Sequence, residues 1–221
     1  PSSFRASGLG RSWIFTVDGR GDRETASLLR AAEGKIQPVY SILSLDDTSI
    51  GGRYESATRL LGFGGHGQGS FMALAGFGEP AVDVSSFLSV APDGELTCHE
   101  TGFAETFSDR ARVFEGELLP KHHDLAASVQ NALEETVEAL IARGGVEKGT
   151  DGLCLAGGVT LNCQMNDLLR RAFRPEGIYA QPAANDAGTA LGAALEAWAL
   201  FGGGETGPME HAYLGPEFSD D

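Results

Sequence analysis

Three turns carry the side chains with which this chain could do chemistry. Gly157-Gly158 follow the apolar run LCLA, Asp186 sits inside PAANDAGTALGAA, and Asp18 opens DGRGD. Successive glycines let a backbone turn sharply or come close to a ligand. Thr160 and Asn162 fall near the start of a helix, where free N–H groups and the helix dipole favour an anion or a polar ligand. Asp18 and Asp186 add two carboxylates, which turns an anion-friendly crevice into a candidate metal and phosphate site. Each turn alone also has a plain reading as a helix cap, a set of packing glycines or a hairpin turn. Three turns pointing the same way favour one site.

The elements around these turns explain how they would meet. LCLA reads as a strand buried on both faces, and GIYAQ as a second strand ahead of Asp186. Ligands of open α/β sheets sit beyond the carboxyl ends of strands, so two strand-to-helix turns in succession imply a shared crevice. Gly188, Ala190, Gly192, Ala193 and Ala194 are expected to let the last helix pack closely. Upstream, RSWIFTV is a strand running into Asp18-Gly19-Arg20-Gly21-Asp22, and ETASLLRAAEGKIQPVYSIL gives two more strands joined at Glu33-Gly34-Lys35. These make a three-stranded antiparallel meander.

Residues 51–78 combine a short amphipathic helix with a glycine-dense loop containing Gly62, Gly64, Gly65, Gly67 and Gly69, mobile or shaped to a ligand. His66 in that loop reads as solvated. Residues 80–117 suggest a small β-hairpin excursion turning at Pro92-Asp93-Gly94. His122-His123-Asp124 open a long helix with Leu125, Val129, Leu133, Val137 and Leu140 at helical spacing, stopped by Gly144-Gly145. Adjacent histidines diverge on a helix and make a poor metal pair.

Composition narrows the function classes. The formal net charge of −15 argues against nucleic acid and anionic membrane as partners, because both need a basic patch. No apolar run approaches the roughly 20 residues of a membrane span, and no signal peptide is visible. Cys98, Cys154 and Cys163 form no CxxC pair; they read as reduced structural thiols, consistent with a cytoplasmic protein.

The predicted order, three antiparallel strands, a long helix, then strand, helix, strand, helix, is that of a mixed α/β sheet with flanking helices. It matches the ribonuclease-H-like half-domain of the actin, sugar-kinase and Hsp70 ATPases, with a helical and loop insertion at about 51–117. Residues 1–11 are expected to be the tail of a preceding segment, 12–203 the half-domain, and 204–221 a linker or domain end. Within this frame the chain resembles the O-carbamoyltransferases. DGRGDRETASL, IGGRYESATRLLGF, GQGSFMALAGFG, DLAASVQNALEE, LCLAGGVTLNCQMN, QPAANDAGTALGAAL and HAYLGPEFSDD carry the resemblance, in the family's order.

The resemblance implies a Kae1-like domain and a defined chemistry. In the family, ATP and carbamoyl phosphate give carbamoyl-adenylate in a YrdC-like domain, and the Kae1-like domain passes the carbamoyl group to a hydroxyl of a small-molecule acceptor in biosynthesis. By motif, Asp18 and Asp186 are the expected catalytic carboxylates and ligands of a divalent metal, Fe²⁺. Gly19, Gly21, Gly157, Gly158 and Asn162 are the expected nucleotide contacts. The family's HxxxH histidine pair would precede Pro1 and its YrdC-like domain would follow Asp221, so both are expected as partners in cis or in trans. Gln68 and Ser70 stand where the family has an acidic residue and a lysine. Alternatives are a degenerate, non-catalytic binding module and another enzyme of the superfamily, such as a tRNA threonylcarbamoyl transferase or a sugar kinase.

Overall fold

Apolar alternation in Arg11–Val17 (β1) sets the architecture, because successive side chains of a strand serve opposite faces. Phe15 and Val17 enter one core, while Ile14 enters a smaller one on the other face. The computed structural model describes residues 1–19, 21, 23–43, 49–92, 94–99, 102–204, 206–216 and 218. Arg20 and Asp22 of the first acidic turn and Asp93 of the expected hairpin turn lie outside the described residues, as does part of the expected domain end.

β1 pairs antiparallel with Glu24–Ala32 (β2), which pairs antiparallel with Lys35–Leu43 (β3), giving the expected meander. Glu33 and Gly34 both take positive φ at its tight turn. On its other edge β1 runs parallel to Gly152–Ala156 (β6), which runs parallel to Ile178–Ala180 (β7). Among the described residues this is a five-stranded mixed sheet in the order β3-β2-β1-β6-β7.

Helices cover both faces. The larger core takes Tyr54, Ala57 and Leu61 from Ile50–Leu60 (α2), Phe71 and Leu74 from Gln68–Ala75 (α3), and Leu125, Val129, Leu133, Val137 and Leu140 from Pro120–Arg143 (α5). Met165, Leu169 and Phe173 of Cys163–Phe173 (α6) complete it. Full burial of each of these Val, Leu, Phe and Met side chains contributes about 1.5–3 kcal/mol. On the opposite face lie Ser2–Ser7 (α1), with Phe4 and Ala6 buried, and Thr189–Leu200 (α7). Residues 80–117 hold the two-residue strands Ser89–Val90 (β4) and Leu96–Thr97 (β5), paired antiparallel, and the short helix Phe103–Thr106 (α4). Among the described residues, no helix is long and apolar enough to cross a membrane.

Residues 1–11 carry α1, which the Arg5 bridge to Glu196 at 3.0 Å pins to α7. From residues 51–117, α2, α3 and Phe87 and Phe103 contribute to the main core. Gly69 lies inside α3 rather than in the loop, because Phe71, Leu74 and Ala75 bury one side of that segment. In α7 only part of the small-residue run packs as expected. Gly192 meets Ser2 of α1, whereas Ala190, Ala193 and Ala194 face outward.

Candidate functional site

Because β1, β6 and β7 are parallel, their carboxyl ends share one edge of the sheet, and the turns that leave them are neighbours. Asp18 follows β1 directly. Its N–H donates to the Thr25 carbonyl (2.9 Å), its carbonyl accepts from Thr25 Oγ1 (3.1 Å) and the Gly51 N–H (3.3 Å), and its Oδ1 accepts from the Gly19 N–H (2.6 Å). The carboxylate is therefore aimed by β2 and by the start of α2. Ser49 caps α2, accepting from the Gly52 N–H and donating to the Gly19 carbonyl.

The glycine turn after β6 is built against this loop. Gly157 has φ 95°, and a Cβ there would lie 2.2 Å from the Val17 carbonyl oxygen. Its N–H donates to the Ala184 carbonyl at 2.7 Å, tying the first strand-to-helix turn to the second. A Cβ on Gly158 would stand 3.0 Å from Asp18 Oδ1 and 3.9 Å from Asn185 Cβ, so Asp18, Gly158 and Asn185 converge. Asn185 accepts from the Ala187 N–H (3.2 Å) and starts the 3-10 turn Asp186–Gly188. Asp186 itself is exposed on that turn, its carbonyl accepting from Thr189 Oγ1.

These residues open onto a cleft of about 490 Å³. Asp18, Gly19, Gly158, Asn162 and Asn185 line it together with Glu55, His66 and Gln68, and Tyr54, Met72, Leu133, Val159 and Leu161 make an apolar wall. Asp186 is not among the lining residues. On the other side of Asp18 an adjoining hollow of about 360 Å³ is bounded by Gly21, Arg23, Glu24, Thr25 and Gly157. An apolar wall beside a polar rim of backbone and carboxylate groups suits a ligand with a flat apolar part and a charged part.

The expected residues thus separate into groups. Asp18, Gly19, Gly158 and Asn162 line the cleft, while Gly21 and Gly157 line the hollow beside it. Asn162 lies there with its side chain already engaged: Oδ1 accepts from the Met165 N–H at 3.0 Å as the cap of α6, and the amide pairs with Gln130. Among the described residues no three of His, Cys, Asp and Glu come together to hold a metal ion. Two carboxylates do not make a complete donor set, so the residues present do not by themselves fit a resident metal.

The histidines diverge as their adjacency implied. His122 is buried, and its Nδ1 accepts from the Leu119 N–H at 3.0 Å. Burial, with Lys121, Arg112 and His123 nearby, holds it below the usual imidazole value. His123 lies against Phe77. Cys98 and Cys154 are buried, and Cys163 is exposed beside Met72. Sequence reasoning passed over Tyr54, Gln130, Asn185 and Arg23. Arg23 and Asn185 adjoin motifs already singled out, whereas Tyr54 and Gln130 are polar residues buried inside amphipathic helices, for which periodicity has no signal.

Residues 2–195 match the family described as Carbamoyltransferase N-terminus. A Synechocystis protein, sll1178, is 34% identical over 242 residues, covering 100% of this chain and 39% of its own length. Nodulation protein NolNO of Sinorhizobium fredii is 32% identical over 228 residues, covering 100% of this chain and 33% of its own. The 3'-hydroxymethylcephem-O-carbamoyltransferase of Amycolatopsis lactamdurans is 30% identical over 147 residues, 61% of this chain and 26% of its own. The chain spans well under half the length of these relatives.

Proposed function

The chain belongs to the carbamoyltransferase family, and from that premise we propose that it forms the nucleotide-facing part of an O-carbamoyltransferase. The reaction is transfer of a carbamoyl group from carbamoyl-adenylate, made from ATP and carbamoyl phosphate, to a hydroxyl of a small-molecule acceptor. A bond forms between the acceptor oxygen and the carbamoyl carbon, the bond from that carbon to the adenylate oxygen breaks, and AMP leaves. The observation that carries this reading is the convergence of Asp18, Gly158 and Asn185 at the carboxyl edge of β1 and β6. The β3-β2-β1-β6-β7 order supports a ribonuclease-H-like half-domain, whose ligands sit at that edge.

In this reading the apolar wall of Tyr54, Met72, Val159 and Leu161 takes the adenosine, and the open glycine turns at Gly19 and Gly158 give its phosphate room. Asp18 is the carboxylate placed to accept the proton of the acceptor hydroxyl as the new bond forms. The relative named for a cephem hydroxymethyl group supports a hydroxyl acceptor. Asp186 would serve a divalent cation with Asp18 when further donors come from outside this chain, and such an ion would neutralise phosphate charge. No step above depends on it. We propose that the active protein also contains the histidine pair and an adenylate-forming domain, which the relatives' greater length supports.

Full-length protein incubated with ATP, carbamoyl phosphate and a hydroxylated acceptor should yield carbamoylated product detectable by mass spectrometry. Asp18→Asn should lower kcat/KM by roughly 10²–10⁴-fold, the span of general-base catalysis. No ATP consumption and no carbamoylated product with any acceptor class would sink the proposal.

A further inference from the structure

Beneath the cleft lies a chain of buried polar groups. Gln130 of α5 is 4% exposed, and its Nε2 donates to Glu134 Oε1 (2.7 Å) and to Asn162 Oδ1 (3.0 Å). Its Oε1 accepts from Asn162 Nδ2 (2.8 Å) and from the Tyr54 hydroxyl (2.8 Å). Both donors and both lone pairs of this amide are therefore used. Burial pushes the Tyr54 phenol above its ordinary pKa, against the opposing pull of its hydrogen bond with Asn162, so it stays a neutral donor.

The pattern has a direction. Glu134 has only acceptors to offer, so it must face the NH₂ side of Gln130. That turns the Gln130 oxygen toward Tyr54 and the NH₂ of Asn162. It leaves the Asn162 oxygen facing the second Gln130 hydrogen and the Met165 N–H, which it caps. Reversing Gln130 would set NH₂ against NH₂ and turn Asn162 away from its cap. One buried amide thereby sets the orientation of the residue that ends the 3-10 turn Gly158–Leu161 and starts α6, and it holds the Tyr54 ring in the cleft wall.

We propose that Gln130 is a positioning residue for nucleotide binding, acting through Asn162 and Tyr54 on the floor and wall of the cleft; this rests on the reading of the cleft as the nucleotide site. Gln130→Glu keeps the shape and loses both donors, placing acceptors opposite Glu134 and Asn162. A tethered network that is half satisfied is worse than an apolar one, so the turn should loosen.

The test uses the full-length protein with ATP, following KM and kcat, thermal midpoint, and amide hydrogen exchange across residues 158–165. Gln130→Glu should raise KM for ATP about tenfold, the worth of the one lost bond that reaches the cleft through Asn162, with kcat within about threefold. Exchange should quicken across 158–165 and stay slow in β6. Tyr54→Phe removes one donor and should raise KM by a few-fold, which keeps the idea testable should Gln130→Glu fail to fold. Val137→Ala, buried on the same helix, should lower the midpoint without moving KM or the exchange of that segment. A KM that follows the midpoint equally in all three variants, or unchanged exchange in 158–165, overturns the assignment. A parent protein that binds no ATP overturns the nucleotide reading instead, while the exchange result still decides whether Gln130 positions the turn.

Discussion

Gly157 and Gly158 are adjacent and look alike in sequence, yet their reasons differ. Gly157 needs its left-handed backbone and the space against Val17, where a Cβ would be 2.2 Å from a carbonyl oxygen. Gly158 has no such conformation and keeps the side of Asp18 clear. Gly157→Ala should destabilise by roughly 2–4 kcal/mol, strain and clash together, measured by urea unfolding. Gly158→Ala should cost under about 1 kcal/mol and crowd the Asp18 carboxylate. Equal losses for the two would refute this division. The pair was legible as a turn; which glycine serves the fold and which the site was not, because that depends on what stands opposite each one.

At the scale of elements, the start of α5 shows how a helix end can make stability depend on pH. His122 Nδ1 accepts from the Leu119 N–H, so its proton sits on the other nitrogen, and protonating Nδ1 would break the cap. Its folded pKa lies below the unfolded value of 6.5. A depressed imidazole means the unfolded chain binds the proton more readily, so its contribution is fully present above pH 6.5 and is lost as pH falls toward the folded pKa. The thermal midpoint should drop between pH 7.5 and 5.5, and His122→Asn, which keeps an acceptor but cannot titrate, should flatten that drop. An unchanged slope would argue against it. Helix spacing along Leu125, Val129 and Leu133 announced α5, but the network on Gln130 was hidden. A polar residue between core positions is assigned to solvent unless its partners on other elements are known, and Tyr54 and Asn162 lie far away in sequence.

Over the whole molecule, apolar surface is unevenly placed. Trp198 (55%), Leu200 (72%) and Phe201 (88%) stand exposed at the end of α7, next to outward alanines. A patch of this kind marks a surface that another body covers. The 221-residue chain alone should therefore self-associate in sedimentation velocity, and Trp198→Glu with Phe201→Glu should restore a monomer. If a further region of a longer protein covers the face, the same pair should instead lower that protein's thermal midpoint.

Strand alternation, glycine turns and motif order by themselves determined the five main strands, the long helix and the family. These signals are local, since period, turn chemistry and spacing are properties of neighbouring residues. Tertiary structure alone decided that α1 is pinned to α7, that Asn185 rather than Asp186 lines the cleft, and that Gln130 joins α2, α5 and α6 beneath it. Those facts concern residues brought together across the sheet, where distance and direction, not sequence, determine which polar groups meet.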